Sequence, residues 1–211
     1  ISLLLPFFFN HGLLSTTKHH QWYTVIGGSD TYTKKIVAQG DFDIHLEEAV
    51  ISAVEKGKQV KLKTTHKEYV FDKAILASHS DESFTIAKQL PQKKKELLEK
   101  FSYNSNHAIL HTDSSVMPRQ KRAWASWNHA LSKQGKEGVT ASTTYWLNSL
   151  QDVPVKTDYF LSLNPFQAIE KKKIIKQIEY HHPLFTTENF VLQKRLHELN
   201  EDTNIYFAGA Y

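Results

Sequence analysis

Apolar positions fall along this chain in short clusters whose spacing changes from one segment to the next. The dense opening run ISLLLPFFF predicts a helix or apolar arm over residues 1–20, ending near Asn10-His11-Gly12. Beyond the polar loop STTKHHQ, residues 22–26 read as a short strand. Gly27-Gly28-Ser29 then turns into a helix with Ser29 or Asp30 as N-cap and Tyr32, Ile36 and Val37 on its inner face. Strand signals follow at 42–46, 49–54, 59–64 and 68–72, and the Glu55-Lys56-Gly57-Lys58 turn between alternating flanks marks a hairpin. Residues 73–77 form a compact apolar run of the type buried in a parallel sheet.

Helical spacing returns at 80–90 and 91–101, with Pro91 at the start of the second helix, where its missing N–H does no harm. Strands are expected at 108–112, 123–128, 140–150 and 159–163, helices at 165–178 and 187–199, and a closing strand at 204–208. Strands and helices mix without regular βαβ alternation. The expected class is α/β in the mixed α+β sense, built as two interwoven sub-domains. The chain shows no internal repeat and no low-complexity linker.

Composition narrows the options. At 211 residues, one large domain or two small ones would bury roughly 70% of the unfolded surface. The net charge is +4, but the lysine runs QKKKELLEK (92–100) and EKKKIIK (170–176) are interleaved with glutamate and read as solvated helix faces. Arginine is scarce and no recognition motif accompanies the charge, so a nucleic-acid partner is not expected. There is no cysteine, which excludes disulfides, thiolate metal sites and a Cys nucleophile in this chain and suits a reducing cytoplasm. The apolar start is short of the ~20 residues that span a bilayer and lacks a basic leader. Opening on Ile1 inside an apolar run and closing at Tyr211 just past a buried strand, the sequence reads as a C-terminal-half fragment of a longer protein.

The segment YNSNHAILHTDSSVMPRQKRAWASWN (103–128) concentrates the chemistry. Trp124 and Trp127 carry large rings with one N–H each, and Asn104, Asn106 and Asn128 carry amides that need partners once they leave water. Apolar walls with a few placed polar groups suit a small-molecule pocket. The same residues also suit a strand whose tryptophans fill core. Pocket candidates are Trp124, Trp127, Asn128, Tyr145, Trp146 and Asn148.

Three segments, FFFNHGLLSTTKHHQWYTVIGGSDTYTKKI (7–36), IHLEEAVISAVEKGKQVKLKTTHKEYVFDKAILASHSDES (44–83) and the 103–128 segment, together resemble the flavin-containing amine oxidase superfamily. TTYWLNSLQ, LSLNP, YHHPLF and YFAGAY extend the likeness along the rest of the chain. The branch it resembles comprises amine-oxidase-like proteins expected to bind NAD or FAD, which also occur fused to plant cyclopropane-fatty-acid synthases. The resemblance implies a partial FAD/NAD(P)-binding domain interwoven with a mixed-sheet substrate domain. Residues 1–20 would be a substrate-domain arm, 21–80 part of the FAD-binding domain, 81–200 the substrate domain and helices, and 201–211 the returning strand.

It also implies cofactor contacts. Val50 would open the strand whose backbone meets the adenine edge of FAD. Gly27, Gly28 and Ser29 would form a turn near the cofactor, Ser78 would end the buried strand on the adenine-ribose side, and Gly209, Ala210 and Tyr211 would begin the last flavin-contacting motif. The family's Gly-x-Gly-x-x-Gly loop, which sets a pyrophosphate on a helix N-terminus, does not occur in this chain. FAD binding is therefore expected only with the remainder of its own polypeptide.

The implied activity is hydride transfer from a hydrophobic substrate to FAD, a lipid-derived one being among the candidates beside amines, porphyrinogens and carotenoids, with protein groups supplying orientation and exclusion of water. A non-catalytic substrate-binding or docking module for a lipid-modifying methyltransferase is the alternative. Among the histidines, His79 is the candidate general base by position. His107, His111 and Asp113 share a strand face, but strand residues four apart lie ~13 Å apart, so no metal site is expected. No Gly-x-Ser-x-Gly elbow accompanies Ser126 or Ser142, which argues against hydrolase chemistry.

Overall fold

The computed structural model describes residues 4–15, 17, 21, 23–132, 140–151 and 153–211. The chain begins with helices α1 (Leu4–Asn10) and α2 (Ser29–Gln39). Strands β1 (Val50–Lys56), β2 (Gln59–Thr64), β3 (Glu68–Phe71) and β4 (Ala74–Leu76) lead to helices α3 (Ser80–Ile86) and α4 (Gln92–Glu99). Next come β5 (Tyr103–His111), β6 (Trp127–Ser132) and β7 (Thr140–Trp146), a one-turn helix α5 (Leu147–Leu150), then β8 (Phe160–Leu163) and β9 (Ile174–Pro183). Helix α6 (Thr187–Leu192), a 3-10 stretch (Gln193–Asn200) and β10 (Ile205–Phe207) close it. Helices and several sheets together make a mixed α/β fold, the class the sequence predicts.

Two compact units form, one from Ile1–Asp41 and Ser105–His181, the other from Phe42–Asn104 and His182–Tyr211.

In the second unit β1, β2 and β3 form an antiparallel meander. The hairpin predicted at Gly57 is present, with Lys56 opposite Gln59 and Gly57 at φ 63, a backbone that glycine adopts without strain. β4 and β10 pair in parallel, Ala74 with Ile205 and Leu76 with Phe207. All four of those side chains are buried in one core with Ala53, Val60, Leu97, Leu98, Phe101 and Leu199. Each large apolar group there contributes roughly 1.5–3 kcal/mol by leaving water. Ile75, between them, is 68% exposed, so the 73–77 run is buried on one face rather than two. One Glu55 carboxylate oxygen accepts from the Thr203 hydroxyl at 2.8 Å, from the Ile205 N–H at 3.2 Å and from the Asn204 N–H, tying β1 to the start of β10.

The first unit holds a five-stranded sheet in the order β6-β7-β8-β5-β9. Trp127 pairs with Tyr145, Tyr145 with Leu161 and Ile109 with Ser162. β9 corrects the helix expected at 165–178. Ile174 and Ile175 are β-branched and favour a pleated strand, and the Thr112 N–H donates to the Lys173 carbonyl, starting the ladder along β5. Of the lysines that suggested a helix face, Lys171, Lys172 and Lys173 form a 3-10 turn and Lys176 lies exposed on the outer strand, where charge discourages further pairing.

Other expectations shift as well. α2 forms where predicted, but Gly28 precedes it with no side-chain cap, and Tyr32, Ile36 and Val37 are 49%, 57% and 47% exposed. Its apolar stripe therefore meets no core among the described residues. Trp22 lies outside the described residues, and 23–25 and 42–46 form no strand. The strand expected at 123–128 is a 3-10 turn (Lys121–Ala123) before β6, and the one at 140–150 ends at Trp146, where α5 begins. The helix expected at 80–90 stops at Ile86, Pro91 caps α4 from outside, and the helix expected at 187–199 is half 3-10.

Candidate functional site

In the second unit, the C-terminal ends of β4 and β10 meet in a tight turn cluster. The Ala208 N–H donates to the Leu76 carbonyl at 3.0 Å. A Cβ on Gly209 would stand 2.0 Å from the Ser78 carbonyl oxygen and 2.3 Å from the Tyr211 ring, so only glycine fits. Tyr103 Oη accepts from the Ser80 N–H at 2.7 Å and donates to the Ala210 carbonyl at 3.2 Å. His79 stacks on Tyr103 with ring centroids 4.1 Å apart; its main-chain N–H donates to the Glu82 carboxylate at 3.2 Å, and its side chain accepts from the Glu82 main-chain N–H. Ser78 Oγ lies 2.9 Å from Ser83 Oγ. Ser78, Gly209, Ala210 and Tyr211, expected at the cofactor, are thus brought together, with His79 beside them. The Tyr211 hydroxyl is enclosed without a well-formed hydrogen bond. Burial raises its pKa, against an opposing pull from the Gly209 N–H.

Val50 lines an open cleft of about 580 Å³ with Ile51, Asp81, Glu82, Thr85 and Ile86. Gly27, Gly28 and Ser29 belong to the first unit. Gly27 and Gly28 have φ of 82 and 81, the left-handed backbone their positions require, and a Cβ on Gly28 would meet open space.

The pocket candidates of the first unit separate into three environments. Trp124 packs edge-on against Trp146 and Phe160, its Nε1–H donating to the Pro118 carbonyl at 2.7 Å and that of Trp146 to Asp158 at 2.9 Å. Lys121 lies over both indole rings and pairs with Asp158 at 2.7 Å. Asn148 accepts from the Tyr159 N–H and donates to the Thr157 carbonyl, and Asn128 likewise joins Ala125 to Thr144. These polar ends are already committed to the fold. Trp127 is 52% exposed, meets Tyr145 edge-on, and borders a cavity of about 600 Å³ with Phe7, His11, Leu13, Leu150 and Gln151.

Asn128, on the other face of β6, lines a second cavity of about 240 Å³ together with Ala130, Ser142 and Thr144. Behind Thr144 lies a buried polar group that the sequence reading passed over. His111 Nε2 lies 2.9 Å from Ser162 Oγ, which lies 2.7 Å from Thr144 Oγ1. The Asp113 N–H donates to His111 Nδ1 at 3.1 Å. Burial holds the His111 pKa below its ordinary value despite the nearby Asp113 charge. Burial pushes the Asp113 carboxyl up, but the N–H groups of Glu170 and Ser115, the Ser115 hydroxyl and the Lys173 ammonium outweigh it and leave it far below the usual carboxylate range. The available signal was alternation: in β7, Ser142 and Thr144 occupy inward positions that apolar residues usually take. His107 points elsewhere, hydrogen-bonded to Gln177, so it and His111 do not converge.

No family model matches the chain, and no curated protein matches its sequence. Solved structures share its fold. A fatty acid isomerase from P. acnes that produces CLA aligns at TM-score 0.60 and 12% identity, over 86% of this chain and 47% of that one. A putative protoporphyrinogen oxidase from Exiguobacterium sp. 255-15 aligns at TM-score 0.54 and 15% identity, over 86% and 46%. A double mutant of putrescine oxidase, made to redesign cofactor binding, aligns at TM-score 0.54 and 11% identity, over 87% and 47%. The chain therefore spans just under half the length of the structures it matches.

Proposed function

We propose that this chain forms part of an FAD-dependent oxidoreductase of the amine-oxidase type, which passes hydride from a hydrophobic substrate to flavin. The observation that carries this reading is the parallel β4–β10 pair ending in the Gly209–Ser78 contact, within a fold shared with an isomerase and two oxidases. The residues present fit a nucleotide. Val50 borders an open cleft suited to an adenine edge. FAD would supply the hydride acceptor. The chain's own part is to hold the nucleotide's adenine side and to shelter an apolar substrate against Trp127, Phe7, Leu13 and Leu150. The Gly-rich pyrophosphate loop would come from another part of the same polypeptide.

The test is to purify the whole polypeptide that carries this chain and record its visible absorption. Bound flavin, or flavin recovered on adding FAD, is the expected result. A folded, colourless protein that FAD cannot reconstitute would overturn the reading in favour of a binding module serving a lipid-modifying methyltransferase.

A further inference from the structure

The buried polar group behind the 240 Å³ cavity has a direction, and one end of it is fixed. A main-chain amide can only donate, so the Asp113 N–H at His111 Nδ1 leaves that nitrogen without a proton. The Asp113 carboxylate is occupied by Ser115, Glu170 and Lys173 rather than by the ring. His111 is fully buried, which disfavours its charged form, so the neutral ring carries its proton on Nε2 and donates it to Ser162 Oγ. Ser162 is fully buried and its Oγ meets only His111 and Thr144 among the described residues, so its own proton has one acceptor left, Thr144 Oγ1. Each hydroxyl has a single proton. That of Thr144 must then point away from Ser162, and among the described residues Thr144 Oγ1 has no second partner. Thr144 lies on the cavity floor, under walls formed by Met117, Pro118 and Phe166.

We infer that this cavity is a binding site for a small, mainly apolar molecule carrying one neutral carbonyl oxygen, a ketone, ester or amide, seated on the Thr144 hydroxyl. An unmade hydrogen bond at a residue only 6% exposed is costly, and an acceptor in the cavity supplies it. No lysine or arginine lines the cavity, and the ring of His129, the titratable residue of its lining, is engaged by Thr143 at 2.9 Å, so a carboxylate would lose its hydration without a committed counter-charge. Ser142 Oγ donates to the Leu163 carbonyl at 3.2 Å, which makes Thr144 the hydroxyl donor left to the ligand. The size suits a fragment rather than a long chain. This site and the proposed cofactor contacts involve different residues.

Two measurements test it on the intact chain. The ring-nitrogen NMR signals of His111 are expected to report the Nε2–H tautomer near neutral pH. A proton on Nδ1, or a charged ring, would reverse the chain and overturn the inference. Acetophenone, an apolar ring with one carbonyl, is expected to shift the amide signals of Val116, Met117 and Ala130 and to bind roughly three- to tenfold more tightly than ethylbenzene, the worth of one net hydrogen bond. Thr144→Val should abolish that preference while leaving ethylbenzene binding intact, and Thr144→Ser should retain it. Equal binding of the two compounds, a preference that survives in Thr144→Val, or no binding of either would each overturn it.

Discussion

Gly209 shows how much a single residue position can constrain. Its missing side chain lets the Ser78 carbonyl and the Tyr211 ring close on the main chain, both nearer than 2.5 Å to where a Cβ would stand. Gly209→Ala must move backbone rather than a flexible side chain, and we expect a loss of about 1–3 kcal/mol, read as a lower melting temperature. His111 and Asp113 give a second residue-scale prediction. Both have depressed pKa values, so the unfolded chain binds more protons than the folded one and stability rises with pH. The His111 contribution is complete above about 6.5 and that of Asp113 above about 3.9, the free-residue values, and each is lost as pH falls through its lower folded value. Urea titrations should show Asp113→Asn costing roughly 2–4 kcal/mol at neutral pH, a difference that shrinks on acidification. A constant difference down to strong acid would refute the assignment. The resemblance placed Gly209 at the start of a motif after the last strand, whereas the roles of Ser162 and Thr144 were not legible, because a hydroxyl's role depends on which strand lies next to it.

Elements were legible in proportion to how local their cause is. The β1–β2 hairpin rests on one turn and its alternating flanks, and it forms as read. α4 hides Leu97 and Leu98, again as the spacing predicts, while Lys93 is exposed and Lys94 and Lys95 are half-buried. β9 failed as a helix because its ladder partner, β5, lies some seventy positions earlier, and no window of a dozen residues contains that fact. α2 kept its helical period without a partner for its apolar side. At this scale the Glu55 clamp is the informative target, since one carboxylate oxygen gathers two backbone N–H groups and a hydroxyl at the start of β10. Glu55→Ala should speed amide exchange in β4 and β10 while leaving β6 and β7 protected. Uniform acceleration across both units would mean that the clamp acts on global stability instead.

For the whole molecule, the sequence predicted a mixed α/β chain, and the fold is of that class, with β4 and β10 paired in parallel within one core. Which residues would form each pocket was less legible. Trp124 and Trp146 close on each other, Trp127 borders one cavity and Asn128 another, because adjacent strand positions face opposite sides of a sheet. The fold is shared with an isomerase and oxidases of which this chain spans just under half. The central claim is that the β4–β10 end and the Val50 cleft serve a flavin nucleotide. Flavin absorption and occupancy of the whole polypeptide, compared between the parent and a Val50→Pro variant that removes the backbone donor at the cleft, test it most directly. The account predicts a yellow parent protein and a variant that folds but holds substantially less FAD. A parent that folds and stays colourless in excess FAD, or a variant that binds FAD as tightly as the parent, would contradict it.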